Sequence, residues 1–341
     1  MTSAPADVAV VIPARNGLPD VLDAVASALA QVPPPAEVIV VDDASTDGTA
    51  DAVRARFGAS VRVVAGRFDG AAAARNAGWR AATARWIALL DADDLWFEGK
   101  LARAMELLDQ HREAAWFFSD GRFRTVDGEW HESWFALYAD LPDGYFGQPT
   151  AELLTVNFVL TSSVVIRRDA LEATGGFNET MSHAEDLELW IRLARRWPAV
   201  ASARPLVRYQ HLQSGLTRKV EARLGGNSQL FARLAADSTL SPELRRRARS
   251  RASLSALKLG WAALREGRNA DARRALAQAW MFPERAVPVA LAWSLSLLPR
   301  PLFEALKRQS WAKGNVAAPM LAVQRVVLNP SATSTTANGA R

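Results

Sequence analysis

From Val8 to Asp94 the chain alternates short, uninterrupted apolar runs with longer segments in which apolar residues recur every third or fourth position. The runs VAVVIPA (8–14), AEVIVVDD (36–43), VRVVAG (61–66) and WIALLDADD (86–94) are of strand length and mostly rich in β-branched residues. Between them LPDVLDAVASALAQ (18–31), DGTADAVRARF (47–57) and GAAAARNAGWRAATA (70–84) read as helices. Strands with no polar alternation are buried on both faces, and intervening helices supply the cover. The pattern therefore predicts an α/β fold with a mostly parallel sheet.

Acidic residues cluster where two of these runs end: Asp42 and Asp43 after the second, Asp91, Asp93 and Asp94 after the fourth. In open α/β sheets ligands bind outside the carboxyl ends of the strands, where the strand order reverses. Neighbouring carboxylates repel, and they stay ionised together most easily around a cation. An Asp-x-Asp spacing offers hard oxygen ligands to Mg²⁺ or Mn²⁺, which suit a phosphate-bearing substrate. An acidic surface loop accounts for a single pair; two clusters behind buried strands favour the cation.

The absence of cysteine excludes disulfides, thiolate metal sites and cysteine nucleophiles, and accords with a reducing compartment. The start MTSAPADVAVVIPARNG lacks a basic segment followed by a long apolar core, so no export is expected. The longest later apolar stretch, AVPVALAWSLSLL (286–298), falls short of the roughly 20 residues that span a bilayer, and no transmembrane helix is expected. Charge is unevenly spread. Residues 1–216 hold 20 Lys/Arg and 29 Asp/Glu, whereas residues 217–341 hold 21 and 7. A basic second part can face nucleic acid, anionic lipid or the acidic part beside it.

Six motifs in order, VVIPARNG, VIVVDDASTDGT, ARNAGWRAA, LLDADD, TSSVVIRRDALEATGGFNE and EDLELWIRLA, resemble the family 2 glycosyltransferases. The resemblance runs from about Val8 to about Ser214. It implies a GT-A fold, a Rossmann-like sheet that binds a nucleotide-sugar, UDP-linked by preference, and transfers the sugar with inversion with the help of Mn²⁺ or Mg²⁺. Matched residue by residue, Pro13, Ala14 and Arg15 would line the nucleotide. Asp43, with Asp42 beside it, would meet the base. Arg75 would contact the nucleotide, its guanidinium being able to donate two hydrogen bonds to an anion at once. Asp91 would lie near the ribose and the metal, Asp93 would be the direct metal ligand, and Asp94 would support them or cap a helix. His211 falls where family members carry a histidine near the metal or diphosphate.

The resemblance places the general base at Asp186, with Glu185 and Trp190 on the acceptor side. Leu187, Trp190, Ile191 and Ala194 share one helical face, and Ser182 with Glu185 has the spacing of a capping box. Asp186 then sits in a first turn, where the helix dipole favours its charge and burial opposes it. Leu193 stands where processive members carry glutamine, which implies a non-processive enzyme.

The segment AAWFFSDGRFRTVDGEWHESWF (114–135) reads as strands joined by turns at Asp120-Gly121 and Asp127-Gly128. The expected division is a catalytic domain over 1–216, a basic α-helical region over 217–328 and a disordered tail over 329–341. Within the helical region LGWAALREGRNADARRALAQAW resembles one tetratricopeptide-type helix pair turning at Gly267. The apolar stretch inside 286–313, flanked by basic residues, either makes a peripheral membrane contact or packs as core. The expected partners are a nucleotide-sugar donor and a glycan, lipid-linked or protein acceptor, with no nucleic acid. The expected location is the cytoplasm, including the inner face of the membrane. A nucleotidyltransferase would share the sheet and the acidic site, but IPARNG (12–17) has one glycine and no lysine where that class carries a Gly-rich basic loop. A non-catalytic scaffold is disfavoured by the presence of Asp43, Asp93 and Asp186 together.

Overall fold

The structure, a computed structural model, describes residues 5–124, 128–210, 216–280, 285–298 and 301–302. Its elements begin β1 (Ala6–Ala14), α1 (Asp20–Leu29), β2 (Pro35–Asp43), α2 (Thr49–Phe57), β3 (Arg62–Gly66), α3 (Ala71–Ala81) and β4 (Trp86–Leu89). Next come β5 (Leu95–Trp96), α4 (Lys100–Gln110), β6 (Trp116–Arg124), β7 (Trp130–His131), α5 (Phe135–Tyr138), β8 (Tyr145–Gly147) and α6 (Thr150–Leu153). They are followed by β9 (Val165–Arg167), α7 (Arg168–Thr174), α8 (Glu185–Ala194), β10 (Ala199–Tyr209) and α9 (Leu216–Ala236). The last elements among the described residues are α10 (Pro242–Arg265), α11 (Asn269–Trp280) and α12 (Ala286–Ser296).

One ten-stranded sheet runs in the order β3-β2-β1-β4-β9-β6-β10-β5, with β7 added to β6 and β8 to β10. Strands β1 to β4 are mutually parallel, as the apolar runs predict. Strand β9 enters antiparallel between β4 and β6, which makes the sheet mixed. Because β2 and β3 extend from one side of β1 and β4 from the other, the order reverses at β1. The crevice at the carboxyl ends of β1 and β4 is thus the position where such a sheet binds ligands.

Helix α3 reaches this crevice by lying very close to the sheet. A Cβ at Gly78 would collide with Val11 Cγ1 and stand 3.0 Å from Val41 Cγ2, so only glycine admits α3 to that depth. The same helix then carries Arg75 to the carboxyl end of β4.

The turn expected at Asp120-Gly121 is absent, because β6 runs straight through it. The Asp120 carboxylate is buried and fully engaged, accepting from Gly121 N–H (2.8 Å), Phe135 N–H (2.9 Å) and Ser133 Oγ (2.5 Å). A Cβ at Gly121 would meet Leu160 Cδ1 and the Val207 carbonyl, so this glycine serves close strand approach instead of a bend. Asp127 and the tail from residue 329 lie outside the described residues.

By internal contacts the chain divides into Met1–Ala248 and Arg249–Arg341, later than the charge asymmetry suggests. Helix α9 belongs with the sheet, tied there by Arg195 at the end of α8, which donates to Asp237 (2.9 Å) and Thr239 (2.6 Å). In the second unit α10 and α11 turn at Gly267 (φ 75°), and Leu264, Leu276, Val289 and Ala292 form a small core with α12. Among the described residues no helix is long and apolar enough to cross a membrane.

The contact at Gly78 gives a prediction whose sign is diagnostic. On an exposed helix Gly→Ala stabilises by about 1 kcal/mol. Gly78→Ala should instead destabilise by about 1–3 kcal/mol through overpacking, read as a lower urea midpoint at unchanged slope.

Candidate active site

At the carboxyl ends of β1 and β4 lies a cleft of about 480 Å³, lined by Pro13, Ala14 and Arg15, by Asp43, by Arg75 on α3, and by Asp91 and Asp93 after β4. The loop after β1 is fastened to the loop after β2. Asn16 N–H donates to Ser45 Oγ (2.8 Å), Thr46 N–H to Asn16 Oδ1 (2.8 Å), Gly17 N–H to Thr49 Oγ1 (3.0 Å) and Leu18 N–H to Asp47 Oδ2 (3.1 Å). The segment ASTDGT is therefore a clamp that holds one wall of the cleft. Asn16, Gly17 and Leu18 line it as well. Sequence reasoning passed over them, though the Ser, Thr and Asp of that segment are the residue types that bond loop backbone.

The two aspartates ending β2 face opposite ways, as successive strand residues do. Asp43 lines the cleft, where it accepts from Phe68 N–H (2.6 Å) and Gly70 N–H (3.1 Å) and lies 3.7 Å from Arg15. Asp42 is buried away from the cleft lining, with Oδ1 unpartnered among the described residues.

Arg75 joins the sequence-distant parts. Its guanidinium bonds Asp91 Oδ1 at 2.7 Å and Glu185 Oε1 at 3.1 Å and lies over the Phe177 ring. Burial opposes its charge, but the carboxylates of Asp91 and Glu185 hold its pKa above the ordinary arginine value. Beside it Asp186 is pushed up to about 6, first by burial and then by the Glu185 charge, against the pull of Leu187 N–H and Arg75. The two Asp186 oxygens differ. Oδ1 accepts tightly from Leu187 N–H (2.6 Å), while Oδ2 has only long contacts to Thr161 Oγ1 (3.4 Å) and Asn157 Nδ2 (3.5 Å). Oδ2 is therefore the less engaged of the two oxygens. Asn157 and Thr161 carried no signal in the sequence beyond the TSS motif that contains Thr161.

The approach to α8 is set by Asn76. Its amide donates to the Phe177 carbonyl (2.8 Å) and Glu179 (2.7 Å), and its Oδ1 accepts from Phe177 N–H and Trp79 Nε1 (both 2.9 Å). A Cβ at Gly176 would stand 2.5 Å from Asn76 Oδ1, which explains that glycine of GGFNE. Ser182 is not the helix cap expected from its spacing. The residue before α8 is Ala184, in a left-handed conformation (φ 64°), and Ser182 Oγ instead lies 3.1 Å from His183 Nδ1. Trp190, expected on the acceptor side, is wholly buried and stacks on Trp116 at 6.0 Å, so it is core.

For the metal, Asp91 and Asp93 both line the cleft, whereas Asp94 turns inward to accept from Ser162 Oγ (2.5 Å) and Gln210 N–H (2.9 Å). Burial, together with Asp91 and Asp93, raises the Asp94 pKa well above the carboxylate range. His211 lies outside the described residues, and among those described no three acidic or histidine side chains converge as a complete ligand set. Two carboxylates nonetheless fit Mg²⁺ or Mn²⁺, which takes one or two protein oxygens and completes its shell with substrate phosphates and water.

The parallel β3-β2-β1-β4 half and the mixed extension make up a sheet of the GT-A fold. Residues 9–175 match the profile of Glycosyl transferase family 2. Among its relatives is the succinoglycan biosynthesis protein ExoU of Rhizobium meliloti, 32% identical over 56% of this chain and 57% of ExoU. The fold is shared with residues 1–349 of S. aureus TarS in complex with UDP-GlcNAc, at TM-score 0.60 and 15% identity over 89% of this chain and 92% of TarS. It is also shared with the mannosyltransferase PcManGT of Pyrobaculum calidifontis in complex with GDP-Man and Mn²⁺, at TM-score 0.59 and 22% identity over 97% and 89%.

Proposed function

We propose that the chain is a non-processive inverting glycosyltransferase that moves one sugar from a UDP-linked donor to an acceptor hydroxyl in surface polysaccharide, glycolipid or glycoprotein synthesis. The observation that carries this reading is Asp186, a carboxyl poised near neutrality and linked through Glu185 and Arg75 to Asp91 in the donor cleft. A general base works best with a pKa near the working pH.

The nucleotide lies along the loop of Pro13, Ala14 and Arg15 against Asp43, with its diphosphate beside Asp91 and Asp93. Those two carboxylates would hold Mn²⁺ or Mg²⁺, which supplies positive charge to the diphosphate as it departs. Asp186 Oδ2 takes the acceptor hydroxyl proton. The acceptor oxygen bonds to the anomeric carbon from the face opposite the diphosphate, and the carbon–oxygen bond to the nucleoside diphosphate breaks with its electron pair leaving on that oxygen. One displacement inverts the anomeric centre. Glu185 keeps Arg75 in place and faces the acceptor side. Leu193 supports single addition, and ExoU, named for succinoglycan biosynthesis, supports a polysaccharide context. The enzyme works in the cytoplasm, and the exposed Val287 and Leu291 on α12 support peripheral contact with the inner face of the membrane.

Asp186→Asn should leave donor affinity nearly intact and lower transfer by about 10²- to 10⁴-fold, measured as nucleoside diphosphate released with acceptor present. Transfer within about threefold of wild type would remove Asp186 from the role. Asp93→Ala should abolish the Mn²⁺ enhancement of donor binding in calorimetry, and an unchanged Mn²⁺ dependence would contradict the metal assignment.

A further inference from the structure

A second cleft, about 310 Å³, lies between the loop entering α8 and helix α9. Ala222, Gly226, Gln229 and Arg233 line it from α9, and their spacing places them on one helical face. Ser182 and His183 line it from the loop. A Cβ at Gly226 would stand 2.9 Å from the His183 carbonyl oxygen, so a bare backbone position is what lets helix and loop meet there. The wall is held from the far end of α9, where Arg195 fastens Asp237 and Thr239.

These two clefts differ in the charges that line them. The donor cleft is lined by four carboxylates, Asp20, Asp43, Asp91 and Asp93, against two arginines, Arg15 and Arg75. The second has no carboxylate in its lining, and its Arg233 has no hydrogen-bond or ion-pair partner among the described residues. Gln229, Ser182 and the His183 imidazole line the same cleft and carry groups able to donate hydrogen bonds. A planar guanidinium in a cleft that also offers hydrogen-bond donors and has no carboxylate in its lining matches phosphate or carboxylate. The loop continues directly into Glu185 and Asp186. His183 lies three positions before Asp186, a span of at most about 11 Å.

We propose that this cleft binds an anionic group, phosphate or carboxylate, carried by the acceptor, so that the acceptor is a charged glycan held by Arg233 and His183 with a hydroxyl presented to Asp186. The inference rests on the sugar-transfer reading for the identity of its ligand as acceptor. The anion site itself stands on the cleft alone.

The full chain, kept metal-free with EDTA so that the acidic donor cleft repels anions, is titrated separately with inorganic pyrophosphate and with glucuronate. Calorimetry reads affinity, and imidazole ¹⁵N NMR reads location. At least one anion should bind saturably at millimolar concentration or below and move the His183 ring signals. Arg233→Gln should weaken that binding by about tenfold or more, Arg233→Lys by less, and Asp93→Asn by less than about twofold, since only arginine offers the paired donors. Binding of pyrophosphate alone identifies a phosphorylated acceptor, of glucuronate alone an acidic sugar, and of both a site that reads charge. If neither anion moves the His183 signals, or if Arg233→Gln binds as tightly as wild type, the proposal is overturned. Donor binding is measured on the same wild-type protein with UDP-sugars and Mn²⁺. A failure there sinks the sugar-transfer reading and leaves the anion result to be judged by itself.

Discussion

The guanidinium of Arg75 is buried between Asp91 and Glu185, and a cation in that position has to be matched by anions held where it lies. Removing one partner from such a pair costs about 3–5 kcal/mol, because the remaining charge is stranded. This constraint works in both directions. Arg75 keeps Asp91 and the carboxylates of Glu185 and Asp186 close together despite their repulsion, and those carboxylates keep Arg75 charged at a depth where burial opposes it. The Asp91 side of the cleft and the start of α8 thus form one electrostatic unit, although more than ninety residues of sequence separate Asp91 from Glu185.

The geometry that allows this is built from packing. Gly78 lets α3 lie against Val11 and Val41. One residue along from Arg75, Asn76 grips the backbone at Phe177 and so aims the segment that ends at Ala184. ARNAG is therefore three devices in five residues: a charge for the site, an amide for the distant turn and a missing side chain for the sheet. GGFNE answers it with the glycine that Asn76 requires. Replacement at any of these positions would move Asp186 relative to the cleft, and the proposed catalysis depends on such placement.

Much of this was legible in sequence because it rests on local pattern. The four apolar runs became β1 to β4, and the acidic clusters fell at strand ends because a buried strand offers no other place for them. The strand WIALLDADD is shorter than its apolar run suggests, ending at Leu89. What escaped depends on tertiary contact. Asp120 looked like a turn residue, and its three hydrogen bonds come from donors up to fifteen residues away. Ser182 had the spacing of a cap, but the left-handed Ala184 sets the entry to α8. Trp190 sits on a helix with buried residues on nearly every side, so helical spacing could not distinguish a site face from a core face. Asp42 and Asp43 are adjacent in sequence and opposed in space, as the strand's period of two dictates. The insertion of β9 between β4 and β6 has no sequence signal, since strand order is a property of the whole sheet.

The central claim is that the charge network tunes Asp186 as the base, and the dependence of transfer on pH tests it most directly. Asp186 must be ionised to accept a proton, so kcat/KM for the acceptor should fall by about tenfold per pH unit below about 6. The Glu185 charge contributes to that raised pKa, so Glu185→Gln should move the acidic limb to lower pH. An acidic limb at the same pH in wild type and Glu185→Gln, or no limb at all, would contradict the account.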